Sequence, residues 1–400
     1  MQHKRNWVQT LCILYIIIWT IAPPLGIDMI YRLLALGCVG IWFIFASARR
    51  FYIQRIHIQV ALFVMLVILV AIVEHGDFDG VLNQIALYIL AVCFFMNTFY
   101  EDGRWEELRG IIPIVLILLA VFNHRTAEIL AEDPSIARRL VRADASTFDY
   151  MRQGIGGYGL IYPQVCIFPA ILMWTISSMK KNRLCFVVGI IWLITYYECV
   201  SSSGYSIAIY VTVLGAIMLF FYKGRKVKTA ILISALIFIG AMALLLYNEG
   251  FRNALIEIFD GTEVVNKIND IVSTSETGQT EDSIYYRMEA YKYSIDVIMR
   301  YPVIGSLWNM NGGGHSAILD TIAKYGIFGG FVYCSMLFSV PNRYKKKYQN
   351  RKIWCISNAV IIAILYVAML DSVPFNFMGL IMLLLPLLFE DIIKWESIYE

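Results

Sequence analysis

Apolar runs of roughly 17 to 20 residues recur along this sequence, and that is about the length an α-helix needs to cross the hydrocarbon core of a bilayer. Lipid offers a backbone no hydrogen-bond partners, so such runs fold as helices that satisfy their own N–H and C=O groups. Charged residues make up 16% of the 400 and apolar residues 59%, against the roughly 25% charge of a soluble domain. A soluble globular fold is excluded. The sequence reads as an all-α polytopic membrane protein, a single integral membrane domain over residues 1–400.

The runs predict about 12 transmembrane helices, at 8–27, 29–47, 56–74, 81–99, 108–123, 158–178, 184–202, 204–222, 229–247, 315–340, 353–370 and 374–389. The first lacks a small-residue cleavage site and is expected to be retained. Basic residues cluster at Lys4 and Arg5, 49–55, Arg104 and Arg109, 180–183, 223–228, 343–352 and Lys394. With an even number of spans all of these fall on the side of the termini, and short basic loops stay in the cytoplasm. N and C termini are therefore expected to be cytoplasmic.

Two extracytoplasmic loops follow from that topology. The first, 123–157, carries Arg125, Arg138, Arg139, Arg142 and Arg152 and no lysine; the planar guanidinium fork matches phosphate oxygens bidentately. The second, 248–314, is acidic overall and contains an expected amphipathic helix at about 283–301. Its apolar spacing runs through Ile284, Met288, Tyr291, Ile295 and Ile298, and Pro302 stops it.

No phosphate-binding P-loop, GxSxG elbow, HExxH pair or Cys/His cluster is present. The eight cysteines lie in apolar segments and the five histidines are scattered, so neither a metal nor a cofactor is expected, and nothing points to nucleic acid. His75 lies near Glu74, Asp77 and Asp79, a group that fits either a cation or a hydrated membrane-edge turn. Within the spans, Asp320 and Lys324 stand at i,i+4 and are expected to pair. Arg32 and Glu198 sit near span ends, and Asp371 in the last outer turn.

The most suggestive stretch is the turn of Gly312, Gly313 and Gly314 running into His315 and an apolar helix. Successive glycines before a helix leave N–H groups that can face an anion, with the helix dipole favouring negative charge there. The same glycines also serve a loop that simply has to turn back into the bilayer, and His315 equally fits a capping or interfacial role. Arginines for an anion, a titratable imidazole and a body open to lipid together meet the needs of transferring a group carried on a lipid pyrophosphate.

The segment RMEAYKYSIDVIMRYPVIGSL from Arg287, GGGHSAILDTIAKYGIFGG from Gly312 and SSSGYSIAIYVTVLGAIML from Ser201 together resemble the bacterial O-antigen and capsular-polysaccharide polymerase family, in the superfamily it shares with the O-antigen ligases. The likeness lies in an Arg-led amphipathic segment, a Tyr-Pro-x-x-Gly turn, a His-Ser at a helix start and a Tyr-Gly-Ile-x-Gly close. Many members have Ser-Arg-Gly where this chain has Ser203, Gly204 and Tyr205.

The resemblance implies a C-type, metal-independent inverting glycosyltransferase of the bacterial cytoplasmic (inner) membrane. It would extend a glycan on undecaprenyl pyrophosphate, alongside flippase and chain-length regulator proteins. By that resemblance His315 and Arg287 are expected to be catalytic, and from their clustering, N–H groups and charge Arg142, Arg138, Arg139, Arg300, Gly312, Gly313, Gly314 and Asp320 are expected to bind pyrophosphate or sugar. A ligase differs only in its acceptor. A transporter or flippase for lipid-linked oligosaccharide remains the reading from another class, although no repeat relates the two halves of the chain.

Overall fold

The computed structural model describes residues 7–47, 55–73, 104–220, 243–258, 283–306, 313–371 and 376–397, except 134, 143, 144 and 349, with isolated positions between 240 and 272. Among the described residues all regular structure is helical. In chain order the α-helices are α1 Trp7–Ile21, α2 Met29–Ser47, α3 Arg55–Val73, α4 Ile111–Glu132, α5 Ser135–Arg142, α6 Ala145–Arg152, α7 Tyr158–Ser178 and α8 Arg183–Ser203. They continue with α9 Ser206–Phe220, α10 Glu249–Ile258, α11 Ser283–Arg300, α12 Ala317–Leu337, α13 Ser339–Lys347, α14 Arg351–Leu370 and α15 Asn376–Ser397.

Four described helices, α4, α7, α8 and α14, are long and apolar enough to cross a membrane, and α12 with α13, bent by 52°, makes a fifth if the pair is one span. The chain is thus a helical protein with membrane-spanning character. Twelve spans are not reached among the described residues: the expected span 81–99 lies wholly outside them and most of 229–247 does, and α1 and α9 are shorter apolar helices.

Two boundaries differ from expectation for local reasons. α4 does not stop at residue 123 but runs to Glu132, because buried Asn123, Thr126, Ala127 and Leu130 keep the i, i+3, i+4, i+7 spacing of one packed face. The segment 123–157 is therefore largely helical, made of the end of α4 with α5 and α6. α15 likewise continues past residue 389 to Ser397, where buried Glu390, Asp391 and Ile392 carry the packing on.

α7 is the most enclosed of the four helices long enough to cross a membrane, packed by α8, α9, α14 and α15, and most of its side chains are buried. Gln164 on α7 and Asn123 on α4 exchange amide hydrogen bonds of 2.8 and 2.9 Å, and the Trp192 indole N–H of α8 donates to Gln164 Oε1 at 2.9 Å. Amides in an apolar interior are costly unless paired, so this closed set fixes three helices in one register.

The two ends of the bundle differ in chemistry. At one end Arg109 pairs with buried Asp391, Lys394 with Glu106 at 2.6 Å, and Lys347 with buried Glu390 at 3.2 Å. Lys352 donates to Ser177 Oγ at 2.7 Å there and Lys181 to the Trp395 carbonyl at 2.8 Å. The opposite ends of α7 and α14, at Tyr158 and Leu370, meet α11 and the start of α12. α12 is broken within its length: Gly326 has φ 69° and ψ −179°.

Candidate functional site

α11 turns Arg287, Tyr291 and Ser294 toward the bundle, residues spaced i, i+4, i+7 on one face. The first two meet the C-terminus of α14, whose last carbonyls have no intrahelical partner and carry partial negative charge. Arg287 donates to the Leu370 carbonyl at 3.5 Å and the Tyr291 hydroxyl donates to the same oxygen at 2.8 Å. One residue on, the Asp371 carboxylate lies 3.8 Å from Arg287; the side chains are 1% and 27% exposed respectively.

A buried carboxylate needs compensation. Asp371 receives it from Arg287 and from the Tyr162 hydroxyl, which donates to Oδ2 at 2.6 Å. Its backbone carbonyl accepts from Ala317 N–H at 3.0 Å, so the same residue also seats the start of α12. Burial is the largest influence and works against the Arg287 charge, but the Asp371 carboxylate together with Tyr158, Tyr162 and Tyr291 outweighs it and holds the guanidinium above the ordinary arginine range. Burial pushes the Tyr291 phenol up as well, against the opposing pull of Arg287.

Tyrosines close the site on the bundle side. Tyr158 packs on Tyr162 and Tyr205 at centroid distances of 4.7 and 4.6 Å. The Tyr205 hydroxyl donates to the Ala137 carbonyl at 3.1 Å, which ties α5 to the cluster.

His315 lies in the turn that enters α12, and that turn is held from both flanks by one carboxylate. Gly313 N–H donates to Ser294 Oγ at 2.8 Å, and the Ser294 hydroxyl donates to Asp320 Oδ1 at 2.6 Å. Ser316 N–H donates to Asp320 Oδ2 at 3.1 Å, while Ser316 Oγ accepts from Leu319 N–H at 3.2 Å as the N-cap. The cap is thus Ser316 and not His315. The His315 imidazole is half-buried and has no hydrogen-bond or ion-pair partner among the described residues. It stands two residues before Ala317, which is bonded to Asp371, the partner of Arg287.

Several expectations change here. The Asp320–Lys324 pair does not form among the described residues: both Asp320 oxygens are engaged by Ser294 and Ser316, and Lys324 lies over the Tyr325 ring at 5.9 Å. A carboxylate in the first turn of a helix reaches the exposed N–H groups behind it more readily than a side chain one turn on. The Gly313 N–H is taken by Ser294, and a Cβ at that position would overlap the Ala290 backbone. Gly314 has φ +80°. Gly312 lies outside the described residues.

Among the described side chains, Arg139 and Arg300 do not join Arg287. Arg139 is exposed, donates to Ser135 Oγ at 3.0 Å and lies 3.6 Å from Asp133. Arg138 and Arg142 belong to α5, with side chains outside the described set. Arg300 is exposed at the far end of α11, roughly 20 Å along the axis from Arg287 at 1.5 Å per residue. The structure brings together Arg287, the His315 turn and Asp320.

Around them it adds Asp371, Tyr162, Tyr158, Tyr291 and Ser294. The sequence spacing set Tyr291 on one apolar face with Met288 and Ile295, which the structure leaves exposed, and it did not mark Ser294. Asp371 stood out only as a charge in an outer turn. Of the other charges, Arg32 folds back onto the Gly26 carbonyl at 3.0 Å and Glu198 lies 3.6 Å from His124. His75 and its acids lie outside the described residues.

An arginine held against a helix C-terminus and a carboxylate, with an imidazole two residues before the helix start that is bonded to the same Asp371, combines an anion-binding group with a proton acceptor. No protein-family model matches the chain, and no curated protein matches it.

Proposed function

We propose that this chain is a metal-independent inverting glycosyltransferase that polymerises undecaprenyl-pyrophosphate-linked repeat units at the outer face of a bacterial cytoplasmic membrane. The observation that carries the reading is the junction of Arg287, Asp371 and the His315 turn at the end of the bundle opposite its lysine-rich end. By the positive-inside rule the lysine-rich end is cytoplasmic, which turns this junction outward. A full set of twelve spans belongs to the same proposal, as do a flippase to deliver the substrate and a chain-length regulator.

The reaction needs no nucleotide, because the donor is already activated, and in place of a metal a guanidinium stabilises the departing pyrophosphate. A hydroxyl oxygen of the acceptor sugar attacks C1 of the donor's reducing-end sugar from the face opposite the pyrophosphate. The C1–O bond to the phosphate breaks, and undecaprenyl pyrophosphate leaves with the electron pair. Arg287 stabilises the developing charge with its fork of N–H donors. His315 takes the proton of the attacking hydroxyl. The new glycosidic bond has inverted configuration at C1.

In this scheme Asp371 and Leu370 O hold Arg287 in place until phosphate oxygens share its donors. Ser294 and Asp320 keep the His315 turn in one conformation. The test is purified protein with lipid-linked repeat units, read as a glycan ladder on a gel. A ladder is expected. Absence of any transfer by folded protein would overturn the reading, and a single transfer to a different acceptor without a ladder would replace the polymerase with a ligase.

A further inference from the structure

α11 has three faces. Arg287, Tyr291 and Ser294 contact the bundle, while Glu289, Lys292, Asp296 and Arg300 form an exposed polar face. Between them Met288, Ile295 and Met299 make an exposed apolar stripe, with Met299 77% exposed. Their i, i+7, i+11 spacing keeps them in line along the helix.

The stripe does not end with the helix. Val303 and Ile304 in the following turn are 70% and 62% exposed. That turn is fastened to the break in α12: Ile327 N–H donates to the Pro302 carbonyl and Ser306 N–H to the Ala323 carbonyl, both at 2.9 Å. Gly326 sits directly against the backbone of Val303 and Ile304. Beyond the break, Ile327, Phe328 and Phe331 of α12 are exposed in turn. One apolar surface therefore runs from α11 through the turn onto the outside of an apolar helix, which in a membrane protein faces hydrocarbon.

We infer that α11 is an interfacial helix, with Met288, Ile295, Met299, Val303 and Ile304 in contact with lipid acyl chains. Continuity with α12 identifies lipid as the occupant of the stripe. The adjoining polar face of Glu289, Lys292, Asp296 and Arg300 fits a helix lying in the membrane plane with its charges at the headgroups. Arg287, on the neighbouring bundle-facing side, then stands at headgroup depth and not in open water. A phosphate carried by a lipid reaches it without leaving the membrane.

The test places the photo-crosslinker p-benzoylphenylalanine at Met299, at Ile304 or at Asp296 of the full chain, reconstituted in vesicles of phosphatidylethanolamine and phosphatidylglycerol. All three positions are exposed, and variants eluting as the wild type does are irradiated and analysed by mass. Phospholipid adducts are expected from 299 and 304 and at least tenfold less from 296. No adduct at 299 and 304, equal adducts at all three positions, or crosslinks from 299 to a second copy of the chain would overturn the inference. The readout involves no turnover, so its failure is separate from failure of the transferase reading.

Discussion

Gly305 and Gly326 meet backbone to backbone. A Cβ on Gly305 would overlap the Gly326 nitrogen and the Lys324 carbonyl, and one on Gly326 would overlap the Val303 carbonyl. Both have positive φ, +80° and +69°, so each position excludes a side chain on two separate grounds. The contact locks the turn after α11 to the break in α12, and so fixes α11, which carries Arg287, relative to the helix that begins just after His315.

Gly326→Ala and Gly305→Ala are therefore expected to destabilise the fold. The positive-φ backbone alone costs a non-glycine residue about 1–3 kcal/mol, and the backbone overlap adds to it. The expected outcome is a lower apparent melting temperature in detergent, while Gly314→Ala, with positive φ but open space around its Cβ position, is expected to lose less. Equal losses at 314 and 326 would show that the contact contributes nothing beyond the backbone angle.

Arg287 and Asp371 are expected to be coupled. Removing one partner of a buried ion pair leaves the other uncompensated, typically at about 3–5 kcal/mol. Because Arg287 keeps some contact with water, a loss of roughly 2–3 kcal/mol is expected for Asp371→Ala or Arg287→Ala. The double variant is expected to lose clearly less than the sum of the two. A double-mutant cycle on thermal unfolding measures this, and strict additivity would argue against the pair.

His315 and Ser316 are neighbours with separable roles. Ser316→Ala removes an N-cap and is expected to cost about 1 kcal/mol of stability. His315→Ala is expected to leave folded yield unchanged and to lower turnover by about 10²–10⁴. Quantified protein and the rate of ladder formation separate the two. A normal rate from folded His315→Ala would remove His315 from the reaction.

Ser294 bridges Gly313 and Asp320 and so holds the His315 turn. Ser294→Ala and Asp320→Asn are expected to slow transfer by about tenfold or more through misplacement of the imidazole, with Ser294→Thr, which keeps a hydroxyl, retaining more activity than Ser294→Ala. Initial rates at saturating substrate decide it. If Ser294→Ala transfers at the wild-type rate, the bridge has no part in catalysis.

Orientation is tested by labelling in whole cells. Lys346→Cys at the basic end of the bundle is expected to resist an impermeant thiol reagent, and Glu289→Cys on the exposed polar face of α11 is expected to react. Labelling at 346 with silence at 289 would reverse the orientation and place the Arg287 junction on the cytoplasmic side.

The sequence by itself determined the membrane class, the long apolar helices and the existence of α11, because run length and helical periodicity are local properties of the chain. It also marked Arg287, His315 and the glycine turn through their motifs. Only the tertiary structure decided what those residues touch. Asp320 engages Ser294 and Ser316 instead of Lys324, and Arg287 faces Asp371. The helical extension of α4 into the polar segment likewise came from packing on its buried face. A side chain's partner depends on which distant element arrives beside it. The Tyr162 hydroxyl reached Asp371 only because α7 and the end of α14 are packed together, a proximity that no local pattern encodes.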